Sequence, residues 1–227
     1  MIGILIELLA SWLVLWIYNR KNLTVLGFGL SKKRFYNFSF GLFISSLCYL
    51  IYFLATIQLS NSRLIINDNY NTTRFFQSSY WTLKSVLFEE LIFRGALLYI
   101  AIEKLGTRSA CIISAIAFGV YHWFSYGVWG QPLQMLFVFI ITAIAGLMFA
   151  YAFAKTRSLY LPIGLHLGWN LMTIVVFSQG PLKDQLFISN GGEKPGDVIS
   201  VLLLLFQILA LPVIVFWYLR RQTARTH

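Results

Sequence analysis

The sequence predicts an all-helical, polytopic membrane bundle of about seven spans, and three observations predict it. First, the 227 residues are 58% hydrophobic and only 11% charged, with a mean hydropathy of +0.71. A soluble domain carries roughly 25% charged residues, so this chain cannot clothe a globule in polar surface. Second, its apolar residues fall into runs of the length that crosses a hydrocarbon core, roughly 20 residues each. Third, its basic residues divide unequally between alternate loops.

The first run, Ile2–Tyr18, has neither the basic leading segment nor the small-residue cleavage site of a signal peptide, and is expected to remain as a span. Phe38–Leu59 is the second run. Tyr80–Ile102 and Ser109–Tyr126 are the third and fourth, and both contain ionisable side chains. Pro132–Ala154, Leu159–Phe177 and Val198–Leu219 complete the set. Lipid offers the backbone no hydrogen bonds, so each run should be helical. The polar stretches Ser60–Ser79 and Gln179–Asp197 are the longest expected loops. This organisation divides the chain into three parts. Residues 1–79 hold two N-terminal helices and their loops, 80–178 hold a core with the polar motifs, and 179–227 hold an outer loop, the last span and a basic tail.

With seven spans, one side collects Arg20, Lys21, Lys32, Lys33, Arg34, Lys104, Arg108, Lys155, Arg157, Arg220, Arg221 and Arg225. The other collects Arg63, Arg74, Lys183 and Lys194. Lys and Arg in short loops mark the cytoplasmic side. The N-terminus is therefore expected outside the plasma membrane and the C-terminus in the cytoplasm. The formal charge of +10 reports topology and gives no reason to expect a nucleic-acid partner. Cys48 and Cys111 lie in apolar runs with no paired framework, which excludes a disulfide scaffold and a sulfur-rich metal site.

Ionisable side chains cost roughly 2.5–3.5 kcal/mol each at the centre of a spanning helix, so those retained are functional candidates. They cluster in three places. In Phe88-Glu89-Glu90-Leu91-Ile92-Phe93-Arg94-Gly95, Glu90 and Arg94 are one turn apart and can pair, while Glu89 points about 100° away and is free to take a proton. In Phe118-Gly119-Val120-Tyr121-His122, Phe118 and His122 share a helix face, and His titrates near neutral pH. In Gly164-Leu165-His166-Leu167-Gly168-Trp169-Asn170, His166 and Asn170 share a face, and Gly164 with Gly168 lets another helix approach closely. Each cluster alone could be an ion-pair lock, an interfacial His or interhelical glue. Together they supply what hydrolysis of an amide needs. Glu89 and His122 can take a proton from water, and His166 with Asn170 can stabilise an oxyanion.

The stretches Glu89-Glu90-xxx-Arg94, Phe118-xxx-His122 and His166-xxx-Asn170 resemble the three ordered motifs of the CPBP family. That family groups type II CAAX prenyl endopeptidases with bacteriocin-processing and immunity-related membrane proteins. Phe93-Arg94-Gly95 and Thr156-Arg157-Ser158-Leu159 extend the likeness, which covers about Tyr80 to Phe177. It implies a helical membrane bundle with its active site within the membrane, acting as an endopeptidase on a membrane-associated protein or peptide. Glu89 and His122 would activate water, His166 and Asn170 would form the oxyanion site, and Glu90, Arg94 and Phe118 would support them. A non-catalytic immunity or assembly factor and a proton-coupled transporter are the competing readings. No cofactor is favoured. If zinc were bound, Glu89, His122 and His166 would be its ligands, but there is no HExxH and no thiolate near the site. Depth along the runs disagrees with a shared site. At about 1.5 Å per residue Glu89 and His166 lie roughly 12–17 Å deep and His122 only about 6 Å. Tilted helices, or a fourth span running past Tyr126, would reconcile them.

Overall fold

The structure, a computed structural model, describes residues 2–177, 181–182 and 185–224. Gln179, Lys183 and Arg225 of the loop and charge analysis lie outside the described residues. The chain forms α1 (Ile2–Asn19), a short 3-10 turn (Leu23–Leu26), α2 (Lys32–Leu59), β1 (Arg63–Ile66), α3 (Thr72–Arg94) and α4 (Ala96–Ser125). It continues as α5 (Pro132–Thr156), α6 (Tyr160–Asn170) with a π-helical turn (Leu171–Val176), β2 (Phe187–Asn190) and α7 (Asp197–Ala224). The large apolar side chains that point outward, such as Leu5, Ile17, Leu133 and Val213, are each more than half exposed, a surface suited to lipid and not to water.

The all-helical membrane bundle is what this sequence forms. Four described helices are long and apolar enough to cross a membrane: Ile2–Asn19, Lys32–Leu59, Pro132–Thr156 and the Asp197–Gln222 part of α7. Tyr160–Val176 is apolar but shorter. Neither α3 nor α4 is among the four, and both carry charge: α3 has Arg74, Lys84, Glu89, Glu90 and Arg94, and α4 has Glu103, Lys104 and Arg108. The expected count of seven therefore depends on helices that hydropathy alone does not mark.

The third apolar run differs from the single span expected. It is two elements, broken at Gly95, where φ is −78° and ψ −137°. A Cβ there would strike the Leu91 carbonyl oxygen of the preceding turn, so only glycine permits the break. The helix also starts earlier than Tyr80, because the Asn71 side chain accepts a hydrogen bond from the Arg74 N–H at 2.9 Å and caps it at Thr72. A second glycine, Gly106, kinks α4 with φ 77° and ψ 162°. The loops expected to be longest are partly ordered: β1 and β2 pair antiparallel, Arg63 opposite Asn190 and Ile66 opposite Phe187.

The closest helix pair is α2 with α6. Gly164 lies so near the Phe38 carbonyl, and Gly168 so near Ser45 and the Leu42 carbonyl, that neither could carry a side chain. From the facing helix, a Cβ on Gly41 would come within 2.9 Å of the Leu165 nitrogen. The Ser46 hydroxyl donates across the seam to the Gly168 carbonyl at 3.2 Å. Glycines on both helices thus produce the close approach that small residues allow. The seam holds α6 deep in the bundle, where His166 meets α3.

Candidate active site

Glu89, Glu90 and Arg94 are all buried, and Glu90 and Arg94 show no exposed surface. One helical turn sets the Arg94 Nη1 at 3.0 Å from Glu90 Oε1, the pairing expected from their spacing. Arg94 is held further by Nη2 donating to the Gly146 carbonyl of α5 at 3.1 Å. Its guanidinium lies 4.1 Å from the ring centre of Phe118 and 5.1 Å from that of Phe149. A buried cation needs such partners, because desolvation otherwise outweighs its attraction to a single carboxylate.

Glu90 also does something that the sequence did not disclose. The same Oε1 lies 2.8 Å from Nδ1 of His166. A carboxylate accepts, so His166 Nδ1 carries the proton and its Nε2 faces the other way. His122 is set similarly, with Nδ1 donating to the Phe118 carbonyl at 2.7 Å. Both imidazoles therefore aim Nε2 at one atom, Glu89 Oε2, and each lies 3.8 Å from it. That separation is too long for a direct hydrogen bond. It leaves room for one small oxygen placed off the line, within bonding reach of Glu89 and an imidazole. Glu89 Oε2 is buried and bonds to no described residue, while Oε1 has only a long 3.5 Å contact from the Ser85 hydroxyl.

Aromatic walls close the space. The Phe118 ring meets His122 edge-on at 4.4 Å and His166 at 5.9 Å, and Phe149 stacks on His166 at 4.9 Å. Phe118 thus supports Arg94 and both imidazoles at once. Asn170 is half-buried on α6 one turn beyond His166, and its side chain makes no hydrogen bond to the described residues. The helix widens into the π-helical turn immediately after it, a departure common near functional sites. Ser85, Gly146 and Phe149 are the contributors that sequence reasoning missed. Ser85 was open to inference, one turn before Glu89. Gly146 and Phe149 sit in an apolar stretch of α5 with no charged residue beside them to mark it.

The three residues meet despite their different depths along the apolar runs, His122 and His166 each placing Nε2 3.8 Å from Glu89 Oε2. A longer fourth helix is not the reason, because it ends at Ser125 and does not run past Tyr126.

Two nitrogens and a carboxylate oxygen are also a zinc donor set. Ligands at 2.0–2.1 Å in a tetrahedron stand about 3.3 Å apart, closer than the 3.8 Å seen here. No group of three or more His, Cys, Asp or Glu among the described residues meets metal-holding geometry. The spacing suits a bridging oxygen better than a metal.

Residues 71–172 match the family described as type II CAAX prenyl endopeptidase, Rce1-like, a stretch that contains Glu89, Glu90, Arg94, His122, His166 and Asn170. The matched segment is similar to the type II CAAX prenyl endopeptidases, and it covers somewhat less than half of the chain. No curated protein and no solved structure matches it.

Proposed function

We propose that the protein is an intramembrane endopeptidase that hydrolyses a peptide bond of a membrane-associated protein by glutamate- and histidine-activated water. The observation that carries this reading is Glu89 Oε2, buried, bonded to no described residue, and 3.8 Å from the Nε2 of both His122 and His166. In this mechanism a water bridges Glu89 and the bare Nε2 of His122. Glu89 takes its proton as the oxygen attacks the carbonyl carbon. The carbonyl π-pair moves onto oxygen, and His166 Nε2–H with the Asn170 amide stabilises that oxyanion. The tetrahedral intermediate collapses, the C–N bond breaks, and the proton held by Glu89 passes to the leaving nitrogen. For His166 to donate from Nε2 while Nδ1–H bonds Glu90, it must be the imidazolium. Two carboxylates, Arg94 and that cation sum to zero, the balance a low-dielectric site favours. No metal takes part in this mechanism.

The basic-loop asymmetry supports an orientation with the N-terminus outside the plasma membrane and the C-terminus in the cytoplasm. The deciding experiment incubates the purified protein in detergent with a membrane-tethered peptide library, beside Glu89→Ala. Cleavage products present for the natural protein and absent for the variant are expected. Identical product profiles would remove the enzyme and leave a non-catalytic scaffold.

A further inference from the structure

At the end of the bundle opposite the β1–β2 ribbon, Lys33, Arg108, Lys155 and Arg157 line one cavity of about 480 Å³. No acidic residue lines it. Among the described residues, none of the four side chains has an ion pair or hydrogen bond. Glu103 is near enough to Arg157 to feel its charge, but its carboxylate is already bonded to Lys21 at 2.7 Å and Tyr99 at 2.6 Å. Four cations thus converge with no acidic partner among the described residues. The tendency of basic residues to collect on one membrane face explains their side, but not their convergence on a single cavity.

The cavity is built from fixed parts. Gly106 breaks α4, and Thr107 and Arg108, the first residues after the break, line the cavity. Arg157 has a left-handed backbone, φ 50°, and is pinned by its neighbours. The Ser158 hydroxyl donates to the Gly27 carbonyl at 3.2 Å, and the Leu159 N–H to the Leu26 carbonyl at 3.1 Å. Gly27 itself has φ +75°, and a Cβ there would meet the Arg157 carbonyl at 2.6 Å. Buried Ala154 and Leu219 complete the lining beside the cations. Four cations, a few apolar side chains and a size within the roughly 300–1,000 Å³ of ligand sites suit an anionic headgroup.

We propose that this cavity is a phosphate-binding site occupied by the headgroup of an anionic phospholipid from the basic-side leaflet. It lies apart from the hydrolytic cluster and does not depend on the protein being a protease. The test uses the purified full chain, delipidated in detergent and exposed to phosphatidylglycerol or phosphatidylcholine, with retained lipid read by native mass spectrometry. The natural protein should keep phosphatidylglycerol in preference. Arg108→Gln with Lys155→Gln should weaken that retention about thirtyfold, the equivalent of about 1 kcal/mol per cation removed. Arg108→Lys with Lys155→Arg should restore it.

Arg220→Gln with Arg221→Gln is the control on the same face, since these cations stack on Phe216 and Trp217 and line no part of the cavity. That pair should leave retention unchanged. All four cavity cations are exposed, so the variants should unfold at the natural temperature. Millimolar inorganic phosphate separates the two sources of the group. Retention that survives phosphate assigns the site to lipid. Displacement of lipid, with thermal stabilisation by phosphate that the cavity variant abolishes, assigns it to free phosphate. Equal retention of both lipids, or equal losses from the cavity and control pairs, overturns the proposal.

Discussion

Glu89 and Glu90 are adjacent carboxylates with opposite expected responses to the same substitution. Glu90→Gln removes the charge that faces Arg94 at 3.0 Å and His166 at 2.8 Å, at a site with no exposed surface. Breaking a buried ion pair costs about 3–5 kcal/mol. Glutamine retains an acceptor oxygen, so the lower bound, about 3 kcal/mol, is the expected loss. For a chain of this length that lowers Tm by about 6–12 °C. Glu89→Gln removes a charge whose one hydrogen bond among the described residues is the 3.5 Å contact from Ser85, so the protein should stay folded and lose less Tm than Glu90→Gln does. Its activity should fall by about 10²–10⁴, the contribution of a positioned base. Thermal unfolding in detergent, run beside cleavage of a tethered peptide, measures both. A Glu89→Gln protein that unfolds early, beside a Glu90→Gln protein that does not, would show that the roles are reversed.

Three further outcomes are expected. Asn170→Ala should lower turnover by about 10²–10³ with Tm unchanged, the usual loss of one oxyanion donor; an unaltered rate would remove Asn170 from the mechanism. Elemental analysis of active protein should find no stoichiometric zinc, and exhaustive chelation should leave cleavage intact; activity lost on chelation and restored by zinc would replace the metal-free mechanism while keeping the protease. Impermeant thiol labelling of intact cells should modify Lys194→Cys and spare Thr223→Cys, with little background because Cys48 and Cys111 are buried. The opposite pattern would invert the orientation.

The sequence made the site more legible than the fold around it. Four-residue spacing on helices is rigid geometry, so Glu90 with Arg94 could be paired from the text alone. Partners from distant segments could not. The bond from His166 to Glu90 joins residues 76 apart, and the wall of Phe149 and Gly146 comes from a helix with no charged residue beside them. In the fold, apolar length located α1, α2, α5 and α7 well, because hydropathy is what defines them. It concealed the break at Gly95, since the run Tyr80–Ile102 continues across that glycine without a turn signal beyond the glycine itself. The Asn71 cap was readable as a helix start. The β1–β2 ribbon was not, because four-residue strands more than a hundred residues apart leave no local period.

The α2–α6 seam has a consequence for how the protein is made. A ribosome delivers Gly41 and Ser45 more than a hundred residues before Gly164 and Gly168, the glycines against which they close. During that interval α2 waits with its tightest face open. Glu90 and Arg94 wait with it, since Gly146 and His166 also come later. Nascent chains halted before Gly146 should therefore expose Cys replacements at Ser45 to cross-linking by membrane-resident insertion factors, and chains released beyond Val176 should not. If both cross-link equally, assembly does not wait for α6. The natural order of synthesis makes the arrival of the sixth helix the moment at which Glu90 meets His166 and the open face of the second helix is covered.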